Sequence, residues 1–185
     1  MRLLGVSGSL RPDSHNQRLL EAAAARLPGH IEFAQLEGLE AIPPYREDSD
    51  HDEPPPAVRR LRENLAGADA ILFSTPEYNA SLPGQLKNAL DWASRPFPDN
   101  SLRGKPVAVV GASTGLFGAV WAQAELRKVL ATIGAEVVDD ELPVGQADSA
   151  FTDSGELAAA EHADALDSLL ERLLLAARQH SEQPV

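Results

Sequence analysis

Close to the amino terminus the chain gathers the donors that an anion needs. Ser9, Arg11, Ser14 and Asn16 lie in Gly8-Ser-Leu-Arg-Pro-Asp-Ser-His-Asn16, between a short apolar run and an Ala-rich stretch. Seryl hydroxyls donate to phosphate oxygens, a guanidinium adds a charge-assisted fork, and an Asn amide adds a donor from a first helical turn. A helix opening at Ser14 would turn its unpaired first amides and the positive end of its dipole toward the same place. That set suits a terminal phosphate monoester. Part of it has a second explanation: Ser14 and Gln17 have the spacing of a capping box, with Ser14 bonding the Gln17 amide and Gln17 reaching back. Capping leaves Arg11 unexplained. The stretch is neither a Walker A loop, lacking Gly-Lys-Ser/Thr, nor a GxGxxG turn.

Two further stretches hold more polar and glycine residues than a connection requires. Ser74-Thr-Pro-Glu-Tyr-Asn-Ala-Ser-Leu-Pro-Gly84 offers a flat aromatic in Tyr78, an amide in Asn79 and backbone donors around Pro76 and Glu77. A rigid turn with Pro at a helix start would use some of the same residues. Gly111-Ala-Ser-Thr-Gly-Leu-Phe-Gly118 combines Ser113 with glycines that admit close backbone approach to a ligand and serve equally well in turns.

The elements that must position these stretches follow from periodicity. Strands are expected over 2–7, 31–36, 68–74, 105–111 and 135–138. Helices are expected over 16–26, 57–66, 84–93, 119–133 and about 156–178, with Asp153 and Glu156 as a cap for the last. Nearly continuous apolar strands alternating with helices indicate a parallel sheet covered on both faces. The fold class is therefore α/β: a flavodoxin-like, doubly wound, five-stranded parallel sheet of order 2-1-3-4-5 in one domain spanning 1–185. In that topology ligands sit at the carboxyl ends of the strands, at the switch point between strands 1 and 3. All three polar stretches leave carboxyl ends. Leu86 and Trp92 belong to a core or an interface, and the leucine stripe at 166, 169, 170, 173 and 174 exceeds what one sheet needs.

Composition narrows the function. With 16 Lys and Arg against 28 Asp and Glu, the net charge is -12, which opposes nucleic acid and anionic membrane as partners. An anion site must be local. The chain has no cysteine, which excludes disulfides, thiol nucleophiles and Cys-ligated metals, so redox chemistry requires a borrowed cofactor. The five histidines are scattered, and the acidic run at Glu47, Asp48, Asp50, Asp52 and Glu53 around His51 reads as a solvated loop, so no metal is expected. No secretory h-region follows Met1 and no apolar run approaches the roughly 20 residues of a membrane span, which points to the cytoplasm.

The motifs 8–16, 76–92 and 111–118 resemble those of the NADPH-dependent FMN reductase family, flavodoxin-like proteins that include quinone, chromate and azo-dye reductases. The resemblance covers about residues 3 to 133. It implies that Ser9, Arg11, Ser14 and Asn16 hold the FMN phosphate, that Pro76, Glu77, Tyr78 and Asn79 line the isoalloxazine, and that Ser113 and Gly115 close over its other edge. It further implies hydride transfer from NADPH, or NADH, to FMN and then to a small acceptor such as a quinone, azo compound, chromate or free flavin. No catalytic side chain is required, because the flavin carries the chemistry. Homodimers or homotetramers are implied as well. One departure stands out: where the family often reads Gly-Gly-x-Arg, this chain has Gly118-Ala-Val-Trp121. Arg95 is the candidate for a nucleotide 2'-phosphate. Two alternatives remain open at this level: a flavodoxin-type electron carrier without direct nucleotide oxidation, and a domain binding another phosphate ligand.

Overall fold

The computed structural model describes residues 1–50 and 53–182. Its sheet comprises β1 (Arg2–Ser7), β2 (Glu32–Gln35), β3 (Ala70–Ser74), β4 (Pro106–Ala112), β5 (Glu136–Val137) and β6 (Pro143–Val144). The helices are α1 (His15–Arg26), α2 (Pro56–Ala66), α3 (Gly84–Ala93), α4 (Val120–Ile133) and α5 (Ala160–Glu182). Every pairing is parallel and the order is β2-β1-β3-β4-β5, as the sequence pattern predicts.

The fifth strand departs from expectation because it is split. β5 pairs with the start of β4 (Pro106 with Glu136), and β6 pairs with its end (Gly111 with Pro143). The intervening Asp139-Asp140-Glu141 turns toward cations instead: Arg127 binds Asp139 and Glu141, and Arg172 binds Asp140. The last helix also starts later than expected. Residues 151–157 close a small turn in which Phe151 bridges Leu157, the Thr152 amide donates to Glu156 O, and Gly155 takes a left-handed φ of +85°.

Alternation along the strands sorts side chains onto two faces. Leu3, Leu72, Ala108 and Val110 meet Leu19 and Leu20 of α1 and the stripe of α5 on one face. Leu4, Val6, Ile71, Phe73, Val107 and Val109 meet α2, α3 and α4 on the other, including Leu86 and Trp92. The expectation of core placement for those two holds. All five stripe leucines of α5 are buried within the chain, so the surplus apolar face expected there is absent. Among the described residues, no helix is long and apolar enough to cross a membrane. Of the acidic run, His51 and Asp52 lie outside the described residues, while Asp48 and Asp50 pair with Arg46 and Arg62.

Candidate active site

The parallel register brings the ends of β1, β3 and β4 to one edge. The Gly8 amide donates to Ser74 O at 2.8 Å and the Thr75 amide to Val110 O at 3.0 Å, so the three polar loops leave the sheet side by side. A Cβ at residue 8 would lie 2.9 Å from Leu86 Cδ2 and 3.3 Å from Pro76 Cδ, so a larger residue there would have to push the Leu86 side chain aside. Gly8 lets the first loop cross close over β3.

Ser14 caps α1, as expected, but the pairing differs from a capping box. Its hydroxyl accepts from the Asn16 amide at 3.2 Å, and the Gln17 side chain turns away to Gln35 and Glu21. Asn16 is also placed differently from expectation. It is 2% exposed, and its Nδ2 donates to Ala112 O at 2.9 Å while its Oδ1 accepts from Ala112 N at 3.0 Å and Ser74 Oγ at 2.9 Å. One buried amide thus ties α1 to the ends of β3 and β4. Its geometry is that of a brace, because a side chain enclosed by three protein partners positions the edge.

The loop after β3 is built as a tight turn. Tyr78 and Ser81 exchange both backbone hydrogen bonds, and Asn79 and Ala80 between them have φ of +54° and +59°, the pattern of a type I' turn. Tyr78 is left half exposed at the rim. Glu77 accepts from the backbone amides of Trp121 and Ala122 at 3.0 and 3.1 Å. α4 has no cap of its own, since its N-cap position is Ala119, so the Glu77 carboxylate satisfies its first amides and complements its dipole. Glu125 holds the same turn from α4 by accepting from Ser81 Oγ at 2.6 Å.

The glycine loop after β4 is pinned against β6 and the chain that follows it. The Ser113 amide donates to Val144 O and its carbonyl accepts from Ala147, while its hydroxyl accepts from the Gly115 amide at 3.1 Å. Gly118 has φ of +58°, and a Cβ there would fall 2.3 Å from the Pro143 carbonyl carbon, so no other residue fits without displacing β6. At the family departure, Trp121 stands half exposed with its ring edge-to-face against Phe117 at 5.2 Å.

These loops enclose a cavity of about 180 Å³ lined by Ser9, Arg11, Ser14, Asn16, Pro76, Glu77, Tyr78 and Ser113, together with His15, Ala112 and Thr114. Asn79 and Gly115 are outside its lining, in the turn and loop just beyond. His15 and Thr114 are the polar lining residues that the predicted site left out; their only signal was their place within the first loop, between Ser14 and Asn16, and within the glycine loop. A larger cavity, about 650 Å³, lies elsewhere, among Tyr45, Asp50, Arg62, Arg95 and Phe97. Within it Arg62 is paired to Asp50, and Arg95 Nε donates to Tyr45 Oη. Arg95 therefore does not join the edge where the three loops meet. The smaller cavity has the donor set of an anion site.

Comparison with known proteins converges on the same edge. The model of the family described as NADPH-dependent FMN reductase matches residues 1–149. An NAD(P)H-dependent FMN reductase of Pseudomonas aeruginosa is 42% identical over 182 residues, covering 97% of this chain and 96% of its own. A 2-hydroxy-1,4-benzoquinone reductase of a Burkholderia species is 44% identical over 131 residues, covering 71% and 70%. Among solved structures, the flavoenzyme NAD(P)H:(acceptor) oxidoreductase FerB from Paracoccus denitrificans superposes with a TM-score of 0.85 at 35% identity, covering 97% of this chain and 98% of its own. The chain belongs to the NADPH-dependent FMN reductase family, and is an oxidoreductase that works with FMN and NAD(P)H.

Proposed function

We propose that the cavity at the carboxyl edge holds FMN, that a nicotinamide nucleotide reduces it, and that a small quinone is the acceptor. The observation that carries this reading is the coincidence of hydroxyls, a guanidinium and a helix N-terminus in one cavity at the switch point of the sheet. The residues present fit the group. Ser9, Ser14 and Arg11 offer donors for a phosphate. In this reading Pro76, Glu77 and Tyr78 from one loop and Ser113 from another line the ring site, with Asn79 and Gly115 just beyond the lining.

When bound, the flavin supplies hydride acceptance and electron storage. The chain's part is placement. Asn16 fixes the relative positions of α1, β3 and β4, and Glu77 joins the wall of the ring site to the glycine loop through α4. Glu77 Oε2 accepts from two backbone amides, which suits a tether. The half-exposed Tyr78 supplies an aromatic rim for a nucleotide or a planar acceptor.

The names of relatives support a quinone over azo and chromate acceptors, since several are quinone reductases at 38–39% identity, while the FMN reductase at 42% identity keeps free flavin as the second acceptor. We place the working enzyme in the cytoplasm as a homodimer or homotetramer. Support comes from the absence of cysteine and from the exposed Tyr78, Leu116, Phe117 and Trp121, since the α5 stripe is already covered. The test is steady-state turnover with benzoquinone, dichromate and an azo dye in turn, each with NADPH and with NADH. Quinone should give the highest kcat/KM; quinone turnover at the uncatalysed rate, with FMN bound, overturns the acceptor assignment.

A further inference from the structure

The glycine loop supplies Ser113 and Thr114 to the cavity lining, and the chain at 142–147 holds that loop from behind. Along this seam the Gly111 amide donates to Leu142 O, Ser113 to Val144 O, Gln146 to Gly115 O and Ala147 to Ser113 O, at 3.0 to 3.2 Å. Gly145 stands within the seam. A Cβ there would lie 2.3 Å from Leu116 O, 2.9 Å from Leu116 C and 3.2 Å from Gly115 O, all backbone atoms that no change of rotamer can withdraw. The φ of Gly145 is outside the left-handed region, so its backbone suits any L residue and only the contact bars a side chain. Gln146 beside it does hold a left-handed φ, +49°, which residues with side chains rarely adopt, and from there its amide reaches Gly115 O. Of the two sides of the seam, 142–147 is the fixed one. Val144 and Ala147 are fully buried in the same core as the α5 stripe, and the next residue, Asp148, is bound by His15 Nε2 at 3.1 Å. The loop opposite carries Leu116 and Phe117, which are 70% and 60% exposed.

We infer that Gly145 is a positioning residue for the flavin: the bare backbone at 145 sets how closely the glycine loop lies on β6, and with it where Ser113 and Thr114 meet the ligand. The inference rests on reading the cavity as the FMN site. A methyl group at 145 would have to drive the Leu116 carbonyl oxygen from 2.3 Å out to at least 3.0 Å. Binding constellations hold their geometry to about 0.5 Å, so a displacement of this size reaches the ligand. The exposed loop yields because the core fixes the other side. Ser9, Arg11 and Ser14 leave β1 and open α1, so the anion donors keep their places while the glycine loop shifts.

The experiment compares wild type, Gly145→Ala and Gly104→Ala. Gly104 precedes β4 at the opposite edge of the sheet and has a left-handed φ of +68°, so Ala there loosens the fold away from the cavity. In the flavin-free protein the Gln146 and Ala147 amides should exchange with deuterium about tenfold faster, or more, in Gly145→Ala than in wild type. Loaded with FMN, Gly145→Ala should show an altered visible circular dichroism of the flavin and a dissociation constant roughly tenfold higher, with reduction by saturating nucleotide slowed about tenfold or more. Gly104→Ala should melt below wild type and match it in all three flavin readouts. Wild-type flavin dichroism and reduction rate in Gly145→Ala, or the same changes in Gly104→Ala, overturns the role of Gly145 while FMN binding stands. One arm uses wild type alone and so does not depend on a variant folding: saturating FMN should slow exchange at Gln146 and Ala147, because a ligand resting on the glycine loop stabilises its bonds to 142–147. Unchanged exchange at both amides overturns the inference. Absence of FMN binding by wild type overturns the reading of the cavity itself, and the inference with it.

Discussion

Asn16 and Arg11 belong to one sequence motif, and the structure assigns them different work that a single pair of variants separates. Replacing Asn16 with Ala removes three buried hydrogen bonds, to Ala112 O, Ala112 N and Ser74 Oγ. At about 1 kcal/mol net for each, with partners that stay buried and unpaired, the loss is about 3 kcal/mol. For a chain of this size that lowers the melting temperature by about 6–12 °C. Arg11 is exposed, so Arg11→Ala should leave the melting point of the flavin-free protein within about 2 °C while weakening FMN strongly. The assay is a thermal melt of both flavin-free variants followed by FMN titration of each. An Asn16→Ala protein with wild-type melting but no FMN affinity refutes the brace and makes Asn16 a direct ligand. Unchanged FMN affinity in Arg11→Ala removes that residue from the cradle.

Other outcomes follow from the same geometry. Ala80 holds φ of +59° in the turn after Tyr78, so Ala80→Gly should stabilise the protein by about 0.5–1 kcal/mol, read by urea denaturation. Glu77→Ala removes the acceptor for two amides at the start of α4 and should cost about 1 kcal/mol; a change below about 0.3 kcal/mol shows that the amides find water instead. Arg26 hydrogen-bonds Asp167 at 2.5 and 2.7 Å across α1 and α5, which holds the Asp167 carboxyl below its ordinary range. A depressed folded pKa contributes stability above the unfolded value and loses it as pH falls through the folded one. Asp167→Asn should therefore cost under about 1 kcal/mol near neutrality for this partly exposed pair, with the difference from wild type shrinking as the pH falls through and below the ordinary carboxylate range.

The fold was legible because apolar strands and amphipathic helices alternate at clear periods, and a parallel sheet with two covered faces admits few orders. Three details were not legible. The split of the last strand depends on Asp139, Asp140 and Glu141 finding Arg127 and Arg172, which are distant in sequence. The late start of α5 depends on a left-handed Gly155 inside what reads as a helix start. The stripe of α5 looked too wide for one sheet because the apolar residues of the 142–157 segment, which join the same core face, have no periodicity of their own. At the site, residue types identified the edge but not their roles. Asn16 reads as a donor to a ligand until Ala112 and Ser74 are seen around it, and Glu77 reads as lining for a flavin ring until the bare start of α4 is seen beside it.

The central claim is that this chain accepts hydride from a nicotinamide nucleotide onto FMN held at the carboxyl edge of its sheet. The most direct test loads the protein with FMN, removes the excess by desalting, and mixes it anaerobically with NADPH or NADH while the visible flavin absorbance is followed. The account predicts retained colour that bleaches with a nucleotide alone, and much less colour retained by Arg11→Ala. Colour that persists until a separate reductase is added would make the chain an electron carrier, and a protein that neither retains nor turns over FMN would contradict the reading of the cavity.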